Sequence, residues 1–199
     1  PNRTINNHTF LSEDGGYKLS LTKDFIALST MRYTNWEDFA ARLDEPLGQF
    51  IKIYRPNCFD RVGLRFVNAF SREQLGLAGR RWNDLLQPPY LGVLDEDEID
   101  EESVVKCSVD VERKLDVLAA LKLHAGPGFV QRNIRNGNRV QQVQEKEVRF
   151  IFDQDVYSTA KVKVPAVAET LNALHAHADS VFSDAITTVL HDAMEPEYL

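Results

Sequence analysis

Residue-by-residue alternation of apolar and polar side chains restricts this chain more than any other feature. In Phe59–Asn68, Val62, Leu64 and Phe66 fall on one side and Arg61, Gly63 and Arg65 on the other. A period of two is the mark of a half-buried β-strand. The pattern returns at Tyr17, Leu19 and Leu21, with Phe25–Thr30 as a return strand after Lys23-Asp24. It appears again at Val105, Cys107, Val109 and Val111, at Ala119, Leu121 and Leu123, and at Val148, Phe150 and Phe152. Short reversals such as Lys114-Leu115-Asp116 imply antiparallel pairing. Gly126-Pro127-Gly128 reads as a strand breaker, and Asn136-Gly137 as a hairpin turn.

Two segments change period. Trp36, Phe39, Ala40, Leu43, Leu47, Phe50, Ile51 and Tyr54 recur at three and four, as a helix requires. Thr34 and Glu37 fit a capping box at its start, and Pro46 predicts a kink or a restart after Asp44. A second stripe begins at Pro165 and runs from Val167 through Leu171, Leu174, Ala178, Val181, Phe182 and Ala185 to Val189, predicting one long C-terminal helix to about Met194. The expected class is α+β: a mainly antiparallel sheet with helices packed on one face. A strand hairpin feeding a helix occurs twice, so duplicated halves are a possible reading. The expected organisation is a single domain over 1–199, with possible halves 1–94 and 103–199 joined by an acidic linker, 95–102.

That linker explains the charge. The formal net charge is −7, yet Asp95–Glu102 holds seven carboxylates in eight residues, and the remainder has 23 acids and 23 bases. Such a block repels itself and is expected to stay solvated. It lacks the glycine bend and alternating oxygen ligands of a calcium loop. No run of eighteen apolar residues is present. Two cysteines, Cys58 and Cys107, fit a reducing compartment, and a cytoplasmic location is expected.

No zinc spacing links the cysteines to the five histidines, and neither a phosphate-binding glycine loop nor a nucleophile elbow occurs. No catalytic residue, metal ligand or cofactor is therefore assigned. Asp153 with Asp155, and Asp110 with Glu112, share strand faces and keep a metal-dependent hydrolase open as a minor reading. Arginine suits bidentate recognition of phosphate or carboxylate. The anion- or ligand-binding candidates are Arg61, Arg65 and Arg149 on a sheet face, with Arg132, Arg135 and Arg139 on the loop 132–139. The opposing reading pairs these arginines with Asp110, Glu112, Asp153 and Asp155.

Ser12-Glu-Asp-Gly15, Leu21-Thr-Lys-Asp-Phe-Ile-Ala-Leu28, Tyr33-Thr-Asn-Trp36, Arg61-Val-Gly-Leu-Arg-Phe-Val-Asn68 and Leu190-His-Asp-Ala-Met-Glu-Pro196 occur in this order. In them the chain resembles a sporadically distributed family of uncharacterised bacterial and archaeal proteins, whose members usually begin with a further segment. The resemblance implies a prokaryotic protein shortened at its N-terminus. The patchy distribution implies accessory genes such as defence or toxin–antitoxin systems. It brings no catalytic residues. The expected function is that of a non-enzymatic interaction protein, holding a protein partner or a second copy of itself and no membrane. A nucleic-acid or nucleotide binder using Arg61, Arg65 and the 132–139 segment is the alternative.

Overall fold

Most period-two segments become strands and the period-3.6 segments become helices in the computed structural model, which describes residues 6–136 and 139–194; the alternation at Val105 and Cys107 does not, because strand structure there begins only at Val109. The fold is α+β with antiparallel sheets. The chain separates into two compact units, Pro1–Asn57 and Cys58–Leu199.

The first unit holds β1 (His8–Leu11), β2 (Tyr17–Leu21), β3 (Ile26–Thr30) and α1 (Trp36–Tyr54). Its three strands form an antiparallel sheet in the order β1-β2-β3. β1 lies in a stretch whose polarity hides it. Asn35, rather than Thr34, caps α1: its side-chain oxygen accepts from the Asp38 amide at 2.8 Å. α1 continues through Pro46 and closes on Arg55, which adopts the left-handed conformation before Pro56. The Tyr17 hydroxyl donates to Asp38 at 2.7 Å, and the Arg42 guanidinium lies 4.3 Å from the Tyr17 ring centre, tying helix to sheet.

The second unit holds β4 (Cys58–Phe59), β5 (Gly63–Phe70), β6 (Val109–Lys114), β7 (Ala119–Asn136), β8 (Arg139–Ser158), β9 (Val162–Lys163), α2 (Val167–Ala185) and α3 (Thr188–Ala193). β4 pairs with β9, and the main sheet runs β5-β8-β7-β6. Phe150, Phe152, Gln154 and Val156 of β8 are buried on one face. There Phe182 of α2 meets Phe70 and Phe152, while Trp82 packs on Phe150 with ring centres 5.4 Å apart. Trp82, Leu85, Leu86, Leu91 and Leu94, from a run of short 3₁₀ turns, complete this core.

The strands expected in one layer are thus divided among separate sheets, with α1 in the first unit and α2 over the main sheet of the second. The single C-terminal helix is also divided. Ile186 is extended and bridges Leu86, the Ala185 carbonyl accepts from the Gln87 amide at 2.9 Å, and Thr187 caps α3. The apolar stripe crosses this break unchanged.

The acidic run lies inside the second unit and is ordered. Arg81 donates to the carbonyls of Glu96, Asp97 and Ile99 at 3.1, 3.2 and 2.8 Å. Glu101 accepts from the Trp82 amide and from Arg72. One arginine thereby gathers three backbone dipoles, and the loop folds around it despite its own charge.

Candidate binding face and β-arm

The strand parity that buries Phe150 and Phe152 sends Asp153, Asp155 and Tyr157 to the other face of the main sheet. Cross-strand register sets Arg65 opposite Asp155, Lys122 opposite Asp155, and His124 opposite Asp153. The side chains lean diagonally. Arg65 grips Asp153 with Nε and Nη2, and Arg61 places Nη2 at 2.6 Å from both oxygens of Asp155. His124 Nδ1 lies 2.7 Å from Asp110, the Tyr157 hydroxyl donates to Glu112 at 2.7 Å, and Lys122 approaches Glu112 at 3.5 Å. Arg61 also covers the Tyr157 ring, 4.7 Å from its centre.

This lattice is electrically closed. The hydrogen bond from His124, then that from Ser108, holds Asp110 below the ordinary carboxylate range. Tyr157 does the same for Glu112, and Glu112 in turn raises the Tyr157 hydroxyl. Asp153 raises Arg65 further above its already high value. Asp110 and Glu112 thus each face a donor that favours their ionised form. Among the described residues no group of three His, Cys, Asp or Glu side chains could hold a metal ion. Arg65, Asp110, Glu112, Lys122, Asp153 and Asp155 border an open depression of about 480 Å³. Its walls carry four carboxylates against Arg65 and Lys122, with His124 beside them, so it does not favour an anion.

Arg149 is placed differently from Arg61 and Arg65. It is only 9% exposed. Its Nη2 lies 2.7 Å from Glu145 and its Nε 3.6 Å from Glu147. Glu147 also accepts from the Ser71 hydroxyl at 2.6 Å and the Glu73 amide at 3.1 Å. Burial alone would push Glu147 up; the Ser71 and Glu73 hydrogen bonds with the Arg149 and Arg72 charges outweigh it and hold the group low. Arg149 is a structural pin rather than part of an open anion site.

That pin sits at the root of the feature that sequence reading missed. Gly126-Pro127-Gly128 does not end β7, which continues to Asn136. β6 stops at Val109, opposite Ala125, so beyond that point this flank of β7 is a sheet edge where a residue without an N–H is accommodated. Gly126 is required for another reason: a Cβ there would stand 2.5 Å from the Cys107 carbonyl oxygen. β5 ends at Phe70, opposite Phe150. From the pair Phe129–Val148 to the pair Asn136–Arg139, β7 and β8 therefore pair, among the described residues, only with each other. The register shifts between Phe129 and Gln131, leaving Glu145, Lys146 and Glu147 opposite Val130. Such a bulge bends and twists a ribbon.

The result is a two-stranded arm of eight residues on the β7 side, about 26 Å long at 3.3 Å per residue. Arg132, Arg135 and Arg139 lie on strands of this arm, not on a loop; their side chains fall outside the described residues, as do Gly137 and Asn138. The Asn136-Gly137 turn signal and the polar, alternating-free composition on either side of it were the available clues.

No family model matches the chain, and comparison with curated proteins and with solved structures returned no significant match. Among the described residues no helix is long and apolar enough to cross a membrane.

Proposed function

We propose that this is a non-catalytic binding protein, in which the second unit serves as a rigid platform for the β7–β8 arm and the arm engages a macromolecular partner. One observation carries the reading: the two central strands of the main sheet overrun both neighbours, and their root is fixed by the buried Arg149–Glu145–Glu147 cluster. An isolated two-stranded ribbon is marginal in water, so an overhang pinned in direction and left without sheet neighbours is built to meet something else. The ion-paired face supports the same reading. Arg61 and Arg65 are committed to Asp155 and Asp153, which stiffens the platform and leaves little free charge for a small anionic ligand.

The test compares the full chain with a variant in which Gln131–Gln144 is replaced by Asn-Gly, closing the hairpin just above the sheet. Circular dichroism checks that the platform folds. The full chain should self-associate or retain a partner in light scattering and crosslinking, and the trimmed chain should not. Identical behaviour of the two proteins overturns the proposal.

A further inference from the structure

We propose that the outer edge of β5 is a docking site for an extended segment of a partner protein, which adds to the main sheet as a further antiparallel strand; the site is separate from the arm and goes beyond the arm's role. β5 stands at one end of the order β5-β8-β7-β6. The Val62 carbonyl accepts from the Ser158 amide at 2.8 Å. Antiparallel bonds alternate along a strand, and the register sets Leu64 opposite Val156 and Phe70 opposite Phe150. The even-numbered residues of β5 therefore turn their N–H and C=O groups to β8, while Gly63, Arg65, Val67 and Ala69 turn theirs away from the sheet. Among the described residues these outward groups meet no other backbone.

This edge is also bare. An unpaired edge is a template for another strand, and proteins blunt such edges with lysine and other charges, with proline or with bulges. β6, at the opposite edge, carries Asp110, Glu112, Arg113 and Lys114. β7, where it outruns β6, is blunted by Pro127 and by the bulge between Phe129 and Gln131. β5 has eight residues, no proline, no lysine, Arg65 as its one charge and an unbroken register with β8. Val67, on the same face as Arg65, is 59% exposed.

The occupant follows from what the edge offers. A row of N–H and C=O groups repeating every second residue is matched by the backbone of an extended polypeptide. An added strand sets residues directly opposite Val67 and Arg65, two apart in its own sequence. An aliphatic residue there covers Val67. An acidic residue meets Arg65, whose Nε and Nη2 hold Asp153 and whose Nη1 is left for a further acceptor. A second copy of β5 is the poorer occupant, because Gly63–Phe70 contains no Asp or Glu to offer Arg65. The segment that fits alternates aliphatic and acidic residues on one face. One added strand is a weak contact alone, and it adds to what the arm holds.

The experiment titrates the full chain with a fluorescein-labelled peptide, Thr-Thr-Val-Thr-Glu-Thr-Thr, read by anisotropy and by amide hydrogen exchange. The peptide's Val would face Val67 and its Glu Arg65. The Arg65, Val67 and Ala69 amides should exchange freely in the protein alone and slow when the peptide binds, while those of Leu64, Phe66 and Asn68 stay protected throughout. N-methylation of the peptide's Val and Glu should abolish binding, and N-methylation of the Thr between them should not. Gln in place of the peptide's Glu should weaken binding about two- to fivefold, and Arg65→Gln should remove that difference. Val67→Pro deletes an outward N–H that β8 does not use and should abolish binding, as should Val67→Lys; circular dichroism checks that both fold. No binding, or equal binding by the peptide methylated at Val and Glu, overturns the inference. Concentration-dependent slowing of the Val67 amide without peptide gives the edge to a second copy and overturns it too. The arm-trimmed chain should bind the peptide as the full chain does. If it does and trimming changes nothing else, the arm's role falls alone; if the peptide fails while trimming still abolishes association, the β5 site falls alone.

Discussion

Replacing Arg149 by Met should cost far more stability than replacing Arg65 by Met, although both arginines sit on the main sheet and both are paired with carboxylates. The Arg149 side chain is 11% exposed and faces Glu145 and Glu147, themselves 17% and 15% exposed. Removing the cation takes from two half-dry carboxylates the charge that pairs with both of them, and breaking such a buried pair costs about 3–5 kcal/mol. The Arg65 side chain is 64% exposed, and an exposed pair typically contributes about 0–1 kcal/mol. Urea unfolding of the full chain, followed by Trp82 fluorescence in a Trp36→Phe background, reports the second unit alone. The gap between the two variants should narrow as the pH falls from 7 towards 5. In the Arg149→Met protein Glu147 loses a charge that favours its ionised form, so its folded pKa rises, and a raised acid pKa makes the folded state gain protons and stability on acidification. In the parent Glu147 is held low, so the parent loses that contribution as the pH falls through the carboxylate range. Equal costs for the two substitutions, or a gap that widens in acid, would refute the assignment of Arg149 as a buried pin.

Three further outcomes are expected. Gly126→Ala should destabilise the second unit by about 1–3 kcal/mol, because its new methyl meets the Cys107 carbonyl; a change below about 0.5 kcal/mol in the same urea assay would contradict the close approach. Asp116 closes the β6–β7 turn: the amides of Leu118 and Ala119 and the ring of His177 bind it, and the Leu118 bond above all holds its pKa low. Asp116→Ala should lower the urea midpoint at pH 7, and the difference from the parent should fade below about pH 4, because a depressed acid contributes its stability only above its unfolded value. Phe150→Ala, by removing the ring that packs on Trp82, should cost about 3–5 kcal/mol and red-shift the Trp82 emission.

Much of the architecture is written in short-range periodicity. The Leu64–Phe66 and Phe150–Phe152 alternation is enough to place β5 and β8, because a strand with one buried face has to repeat every second residue. The α1 stripe and the Pro165 start of the C-terminal helical region are legible for the same reason. What periodicity cannot show is where one backbone captures another. α2 ends at Ala185 because the segment 85–87 hydrogen-bonds its terminus, a contact about a hundred residues away in sequence. The acidic run is ordered by Arg81, whose partners are mostly carbonyls and so leave no trace in residue type. Gly126-Pro127-Gly128 looks like a break because those residues weaken a central strand, and only the early end of β6 makes their position an edge. On the site itself, Arg61 and Arg65 share the face that alternation assigned them. Their neutralisation by Asp155 and Asp153 followed from matching faces, yet required the register to decide it.

Strand propensity argues for the arm's purpose independently of its charge. Typical strands have about five or six residues. β7 has 18 and β8 has 20, against 8 for β5 and 6 for β6. If the overhang existed for stability, its residues would be the β-branched and aromatic ones that make strong cross-strand pairs. Instead its sequence is rich in Asn, Gln and Arg, and Asn is depleted in strands. The main sheet below the arm is mostly consistent, with one apolar, covered face and one charged, largely paired face, Val67 being exposed on the second and Gln154 buried in the first. A conflict between local preference and structure, in a protein that otherwise satisfies its preferences, is expected at a functional site, which is the role proposed above for the arm. Among the described residues of this unit, the arm is where that opposition runs along the outer parts of two strands.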